Sequence, residues 1–211
     1  MNPKGKHQPT LTPPGTAARR MAWPARASAR LSLFGMLFWL AILSASAGNG
    51  EFRVSELSAR LVEGTYVMNT RIEYHFSDRV LEALDNGVPL TMEVIVRLRD
   101  SDAWWWQSDL LKRRLRYQIR YLSLSSVYQV VDLQSGTQQN FVTLESALDA
   151  LGDIPPLPLM KQGELAHGKR YLLSVKAELD IEALPLPLRP MAYLTPSWNL
   201  SSEWRTWLLR P

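Results

Sequence analysis

The sequence predicts a mainly β protein, an antiparallel β-sandwich with two short helices, after an N-terminal signal peptide or anchor. Three observations support this fold class: long stretches of alternating apolar and polar residues, two capped segments with helical spacing, and a basic leader followed by an apolar run. Alternation with a period of two places apolar side chains on one face of a strand. Strands of this kind pair in antiparallel sheets that bury one face.

The N-terminal segment has the order of a secretory signal peptide. Its basic residues are followed by the apolar run Leu31–Leu43 and by small residues that end at Ala47. This run is shorter than the roughly 18 to 20 residues that span a bilayer comfortably, so cleavage after Ala47 is expected. An uncleaved leader would instead act as a marginal anchor through residues 31–47. A start at Met21 rather than Met1 would give a more ordinary basic segment.

The chain is therefore expected to divide into a leader, residues 1–47, and a single domain, residues 48–211. Both fates of the leader export the domain, which predicts a periplasmic protein, held at the inner membrane if the leader stays. Six of the 24 basic residues lie in the leader, which leaves 18 against 20 acidic residues and a net charge of −2. This balance argues against a nucleic-acid partner. The lack of cysteine excludes disulfides and thiolate catalysis.

Four strands are predicted where apolar residues alternate with polar ones, at residues 65–76, 90–99, 114–121 and 171–182. Shorter candidate strands are residues 52–62, 126–133, 138–142 and 198–208. The sequence QSGT at 134–137 predicts a hairpin turn.

Two helices are predicted between these strands. Ser77 is suited to cap the first, which ends at Gly87, and Thr143 is suited to cap the second, which ends at Gly152. Each glycine is expected in the left-handed conformation that closes a helix. Near the C-terminus, the segment LPLPLRP at 184–190 predicts a rigid extended edge of the polyproline type, with a docking ligand as the alternative.

Several stretches together resemble a known family. They are EGTYVMNTRIEYHFSD, LEALDNGVPLTMEV, WWW, FVTLESALDALG and LDIEALPLPLRPMAYLTPSWNLSSEWRTWLL. The chain is similar over about residues 51–209 to the proteobacterial domain of unknown function 4390, small exported proteins sometimes labelled proline-rich signal peptide proteins. The resemblance implies a cell-envelope protein with no assigned activity or site residues. Members tend to be encoded beside an RNA methyltransferase and a nitrogen-type membrane sensor kinase, which suggests a role in envelope signalling.

Tryptophan is concentrated in two parts of the domain. They are the triplet Trp104, Trp105 and Trp106, and the C-terminal group Trp198, Trp204 and Trp207. If the triplet is part of a strand, Trp104 and Trp106 face one way and Trp105 the other, covered by the C-terminal segment. The two groups suit packing against each other, and the alternatives are a partner-binding hot spot or a sugar-stacking platform.

Basic residues are expected along the polar faces of two successive strands. They are Arg97, Arg99, Lys112, Arg113, Arg114, Arg116 and Arg120. Like charges directly opposite each other are unfavourable, so acids such as Glu178, Asp180 and Glu182 are expected to neutralise them. The alternatives are a solvated face or a surface for an anionic partner, either lipid headgroups or an acidic protein.

No motif for catalysis or for a metal site is present. His75 and His167 are isolated, and neither HExxH nor GxSxG occurs, so no metal, cofactor or catalytic triad is predicted. Asp102 and Asp109 flank the tryptophan triplet and would be the pair for a glycosidase.

The sequence therefore predicts a non-enzymatic exported protein that binds an envelope or membrane protein. The candidate binding residues are Trp104, Trp105, Trp106, Arg97, Arg99, Arg114, Arg116, Trp204 and Trp207. The alternative is a cell-wall glycan binder or hydrolase that uses Asp102, Asp109 and Trp105, and a third class is a structural spacer. A groove that holds both carboxylates beside the indoles would favour the glycan function.

Overall fold

The computed structural model describes residues 50–104 and 108–211, and antiparallel strands make up most of this part. The strands are β1 Glu51–Val62, β2 Thr65–His75, β3 Leu90–Asp100, β4 Leu111–Leu122, β5 Val127–Asp132, β6 Gln138–Phe141, β7 Asp153–Lys161, β8 Tyr171–Leu179 and β9 Arg205–Leu209. The helices are α1 Asp78–Asp85, α2 Leu144–Gly152 and α3 Arg189–Leu194. Short 3-10 turns lie at Gln162–Glu164, Ile181–Ala183 and Pro196–Trp198.

The strands form two sheets in which every neighbouring pair is antiparallel. The smaller sheet has the order β1-β2-β7, and the larger six-stranded sheet has the order β6-β5-β4-β3-β8-β9. β3 therefore lies inside the larger sheet, between β4 and β8. The mainly β, antiparallel fold class predicted from the sequence is confirmed, with a third short helix in addition to the two expected.

One buried cluster joins the two sheets. β3 contributes five residues with no exposed surface, Leu90, Met92, Val94, Val96 and Leu98. From the smaller sheet come Phe52, Met68 and Ile72, and from the helices Val80, Leu84, Ala147 and Leu151. Burial of each large apolar side chain contributes roughly 1.5 to 3 kcal/mol. The alternation read from the sequence thus places the core between the sheets, with α1 and α2 packed into it.

Both predicted helix caps are present. The side chain of Ser77 accepts a hydrogen bond from the Val80 amide, and that of Thr143 accepts one from the Ser146 amide. Gly87 has φ of 80°, the left-handed value expected after α1. Gly152 does not have it, because it is the last residue of α2 and lies against the backbone of Ile72. A Cβ at position 152 would lie 2.0 Å from the Ile72 carbonyl oxygen.

The C-terminal segment differs from its prediction. The proline-rich stretch does not run as an extended edge, because it turns and then forms α3 with Pro190 in the first turn. Proline is tolerated there since that amide has no partner within a helix. The predicted strand 198–208 is reduced to β9, which begins only at Arg205, and β8 ends at Leu179 rather than residue 182.

β7 is the strand that the sequence did not predict. It contains Pro155, Pro156 and Pro158 and follows directly after α2. In the described residues it pairs with β2 on one side only, so it forms an edge of the smaller sheet. Edge positions are where proline, which has no amide hydrogen, is compatible with a strand.

No helix in residues 50–104 or 108–211 is long and apolar enough to cross a membrane.

Candidate functional site

The side chains on the outer face of β3 change from buried to exposed along the strand. Its side chains are Thr91, Glu93, Ile95, Arg97 and Arg99, on the face opposite the core. The first three are buried, Arg97 is half-buried and Arg99 is exposed. Ile95 lies directly between Arg114 of β4 and Lys176 of β8, whose long aliphatic stems can cover it. The outer face is therefore covered at one end of β3 and open at the other.

At the covered end, positive charges have partners. Arg114 lies 3.0 Å from Glu93, and Arg116 lies 3.0 Å from Asp180. Arg120 donates two hydrogen bonds to the Gln129 side chain.

Of the basic residues predicted on this face, Arg116 is neutralised by Asp180, as expected, and Arg114 is neutralised by Glu93. Glu178 and Glu182 pair instead with Lys176 and Arg189. Arg113 does not belong to this face, because it lies opposite the core residue Val96.

At the open end, three adjacent strands form a pocket of about 300 Å³. We call it the Arg97–Trp204 pocket, and its lining residues are Arg97, Arg99, Asp109, Leu172, Ser174, Trp204 and Thr206. Strand pairing sets Arg97 opposite Ser174, and Ser174 opposite Thr206. The pocket therefore combines two guanidinium groups, two hydroxyls and an indole on one surface.

The guanidinium of Arg97 has only part of its hydrogen-bonding and charge requirements met in this pocket. It lies 4.7 Å from the centre of the Trp204 ring, a cation–π contact. Its Nε atom is buried, has no hydrogen-bond partner among the described residues, and lies 3.8 Å from Asp109 Oδ2. Lys112 lies directly across from Arg97 in β4 and adds like charge. Positive charge is consequently in excess here.

Arg99 adds to this excess. Its side chain is exposed, and within residues 50–104 and 108–211 it forms no ion pair. Asp109 is the one carboxylate among the lining residues of the pocket. Two arginines with one acid beside an aromatic ring are suited to an anionic group that can accept several N–H donors.

The loop between β3 and β4 is attached to the chain before β8 by two ion pairs. Lys169 Nζ lies 2.8 Å from Asp100, and Arg170 lies 3.2 Å from Asp102. The hydrogen bond from Lys169 lowers the pKa of Asp100. Asp102 is therefore engaged at the base of the loop, whereas Asp109 lies in the pocket, and no groove in the described residues is seen to hold both.

The predicted tryptophan sites are only partly brought together. Trp104 is 66% exposed and lies in the loop after β3, outside any strand. Trp105 and Trp106 lie outside the described residues, and so does the predicted covering of Trp105. Trp204 lies in the pocket, whereas Trp207 pairs with core-facing Leu173 and so lies on the opposite face of β9.

Of the nine candidate residues, Arg97, Arg99 and Trp204 line the pocket. Arg114 and Arg116 share its face but lie farther along β4. Sequence reasoning missed the contribution of Leu172, Ser174 and Thr206. They carry no motif, because their role depends on the pairing of β8 with β3 and β9, which the sequence does not show.

A second pocket, of about 340 Å³, opens between the larger sheet and α2. It is lined by Tyr117 and Val130 on the sheet and by Ala150 and Pro155 on the other side. Burial, together with the charge of Asp132, raises the pKa of Tyr117 to about 12. Asp132 itself accepts hydrogen bonds from the turn that follows β5. No sequence pattern indicated this pocket, since its walls come from five elements.

In the described part of the chain, no three His, Asp or Glu side chains lie close enough together to hold a metal ion. His75 is in β2, and His167 lies in the turn before β8.

Comparison with known proteins identifies a family. No curated protein and no solved structure matches this chain. The sequence profile of the domain of unknown function DUF4390 matches residues 49–208, which cover both sheets and the Arg97–Trp204 pocket. The chain therefore belongs to the DUF4390 family.

Proposed function

We propose that this chain is a non-enzymatic binding module of the cell envelope that contacts an acidic protein partner through the Arg97–Trp204 pocket. The observation that carries this proposal is the excess positive charge of the pocket. Arg97 is only partly satisfied and Arg99 has no ion pair in the described residues, whereas the arginines at the other end of the face are paired.

The chemistry of the pocket favours a protein partner. A carboxylate that enters beside Arg97 and Arg99 would accept charge-assisted hydrogen bonds, and the Ser174 and Thr206 hydroxyls lie on the same surface. Tryptophan and arginine are also the residues most enriched among binding hot spots. Next to the pocket, Leu208 is 41% exposed and offers an apolar rim.

The leader supports a location in the envelope. A basic segment, a short apolar run and a small-residue site before Gly48 have the order that directs export. The partner is therefore sought among periplasmic proteins and the extracytoplasmic parts of membrane proteins. The sensor kinase that is encoded beside family members is the first candidate.

In-cell photo-crosslinking tests the proposal. A photoreactive residue at position 208 lies next to the pocket without removing a charged group, and position 161, at the end of β7, is the surface control. We expect a specific envelope protein to be captured at 208 and not at 161. Arg99→Glu should abolish the capture, because it reverses the charge that the partner recognises.

Arg113→Glu is the matched control for Arg99→Glu. Arg113 is also exposed and also without an ion pair in the described residues, but it lies on the other face of the sheet. Capture that survives Arg99→Glu, or that is lost equally in Arg113→Glu, would contradict the proposed site. Capture of glycan strands in place of protein would support the cell-wall alternative.

A further inference from the structure

The segment that follows β8 presents an apolar surface to solvent. Leu186, Met191, Tyr193 and Leu194 are 72%, 63%, 58% and 85% exposed. We call these four residues the apolar end. Met191 and Leu194 are three residues apart in α3 and so lie on one side of that helix. Single exposed apolar side chains are ordinary, whereas groups of them are typical of interaction surfaces.

The apolar end is held in a fixed shape by its own segment. Leu184 and Ala192 are each 1% exposed and Trp198 is 5% exposed, so the segment is pinned to the core at three points. The Arg189 guanidinium donates to the Leu184 carbonyl oxygen at 2.8 Å and pairs with Glu182. The four side chains therefore point outward from a packed segment.

The domain begins beside this surface. A Cβ at Gly50 would lie 2.3 Å from the backbone nitrogen of Ser77, so the two residues are in contact. The Ser77 hydroxyl donates to the Ser197 carbonyl oxygen at 2.6 Å. Ser197 is three residues beyond Leu194, a distance of about 10 Å at most along the chain. Gly50, the first residue that the structure describes, is thus linked through Ser77 and Ser197 to the segment that carries the apolar end.

The connection to the leader is short. Two residues lie between Ala47 and Gly50, and these three chain steps allow about 10 Å at full extension. The apolar run Leu31–Leu43 lies just before this connection in the sequence. A leader that remains in the membrane would hold the start of the domain, and with it the apolar end, close to the bilayer surface.

We propose that the apolar end rests on the lipid bilayer. Arg189 is the one charged residue in positions 183–194, and it is already paired, so the surface offers little to a charged protein partner. Tyrosine is enriched at membrane interfaces, and leucine is typical of the apolar faces that enter them. These residues are separate from the Arg97–Trp204 pocket, so either proposal can fail without the other.

Site-specific fluorescence tests this proposal directly. Because the chain has no cysteine, Leu194→Cys and Met191→Cys each give one labelling site. The control is Leu61→Cys. Leu61 is 44% exposed and lies at the end of β1 that is far from Gly50. The full chain is expressed with its leader, the form that the cell retains is purified, and its N-terminus is sequenced. Each variant is labelled with the fluorophore NBD and mixed with phosphatidylethanolamine–phosphatidylglycerol vesicles, or reconstituted into them if the leader is retained.

We expect the labels at 194 and 191 to shift to shorter emission wavelength and to be quenched several-fold more strongly by nitroxide lipids than the label at 61. Equal quenching at all three positions would overturn the proposal. A blue shift at 194 that is already present without lipid, together with dimer formation, would also overturn it and would assign the surface to a second copy of the chain.

Discussion

At the scale of single residues, Arg97 shows how the pocket is built. Its guanidinium carbon lies 4.7 Å from the centre of the Trp204 ring and its Nε lies 3.8 Å from the Asp109 carboxylate, while Lys112 lies across from it in β4. The side chain is half-buried, so these contacts are only partly screened by solvent. The indole face and the carboxylate together are expected to fix the orientation of the guanidinium.

The contact between Arg97 and Trp204 should be measurable as a coupling energy. We expect Arg97→Met and Trp204→Leu to show a coupling of about 0.5 to 1 kcal/mol in a double-mutant cycle, because the pair is partly exposed. Urea unfolding of the four proteins gives this value. The control cycle combines Arg113→Met with Trp204→Leu and should show no coupling; coupling of equal size there would mean that the contact is not specific.

Gly152 is required for a close approach between α2 and β2. Gly152→Ala would place a methyl group 2.0 Å from the Ile72 carbonyl oxygen, and both are backbone positions that cannot rotate away. We expect a loss of about 1 to 3 kcal/mol in the free energy of unfolding, as for other overpacked sites. Gly163→Ala is the control, since nothing lies within 4 Å of a Cβ there. Equal stability of the two variants would contradict this account.

Tyr117 should make the protein less stable in alkali. Its folded-state pKa is raised to about 12, mainly by burial, whereas tyrosine in the unfolded chain titrates near 10. Between about pH 10 and 12 the unfolded state therefore binds fewer protons, and stability falls as pH rises through this range. Its contribution is fully present below about pH 10.

Urea unfolding at several pH values measures this slope. In Tyr117→Phe the loss of stability between pH 10 and 12 should be smaller by about 1 to 3 kcal/mol. Tyr66→Phe is the matched control, since Tyr66 is also a core tyrosine of a strand. An unchanged slope in Tyr117→Phe would show that this phenol does not titrate as described.

At the scale of elements, Ser77 connects three parts of the fold. Its hydroxyl caps α1 and bonds to the turn at Pro196–Trp198, and its backbone nitrogen lies beside Gly50. Ser77→Ala should therefore cost about 1 to 3 kcal/mol, more than the loss of a cap alone. Thr143→Ala removes an exposed cap from α2 and should cost about 1 kcal/mol or less. Thermal unfolding compares the two, and a larger effect in Thr143→Ala would contradict this role.

Most elements could be predicted because their pattern is local. Alternation identified β2, β3, β4 and β8, the shorter candidate strands matched β1, β5 and β6, and caps with glycines identified α1 and α2. β7 and α3 escaped because proline obscured them: in β7 it interrupts alternation, and before α3 it indicated an extended segment. Tertiary packing determines the structure in both places. β7 pairs at the edge of the smaller sheet, and the segment with α3 is anchored by the burial of Leu184 and Ala192.

The candidate site could be predicted only in part, for a related reason. Residue type alone indicated Arg97, Arg99 and Trp204 as binding residues, and the structure brings them together. The structure places Trp207 on the opposite face of β9, and Asp102 forms an ion pair with Arg170 outside the pocket. Those distinctions depend on which strand lies beside which, and strand order is not encoded in local periodicity.

At the scale of the whole molecule, one core serves both sheets, so the domain should unfold in a single step. Trp198 is buried in this core and reports on tertiary structure, while far-ultraviolet circular dichroism reports on the strands. We expect the two signals to give coincident urea transitions. Separate midpoints would show that the smaller sheet melts independently.

The turn that leads to the apolar end contacts β3 at the opposite end from the Arg97–Trp204 pocket. The Asp180 amide donates to the Thr91 carbonyl oxygen, and Arg97 is six residues farther along the strand, about 20 Å away. The start of β1 lies beside the pocket, because Glu51–Val54 line a smaller pocket together with Trp204.

The prolines of β7 also decide how copies of this protein can assemble. Proline has no amide hydrogen, so three positions of β7 cannot donate to an added strand. The prolines therefore disfavour growth of a strand stack from that side of the smaller sheet. Among the described strands, β1, β6 and β9 are the remaining sheet edges, so a partner that adds a strand is expected at one of these three.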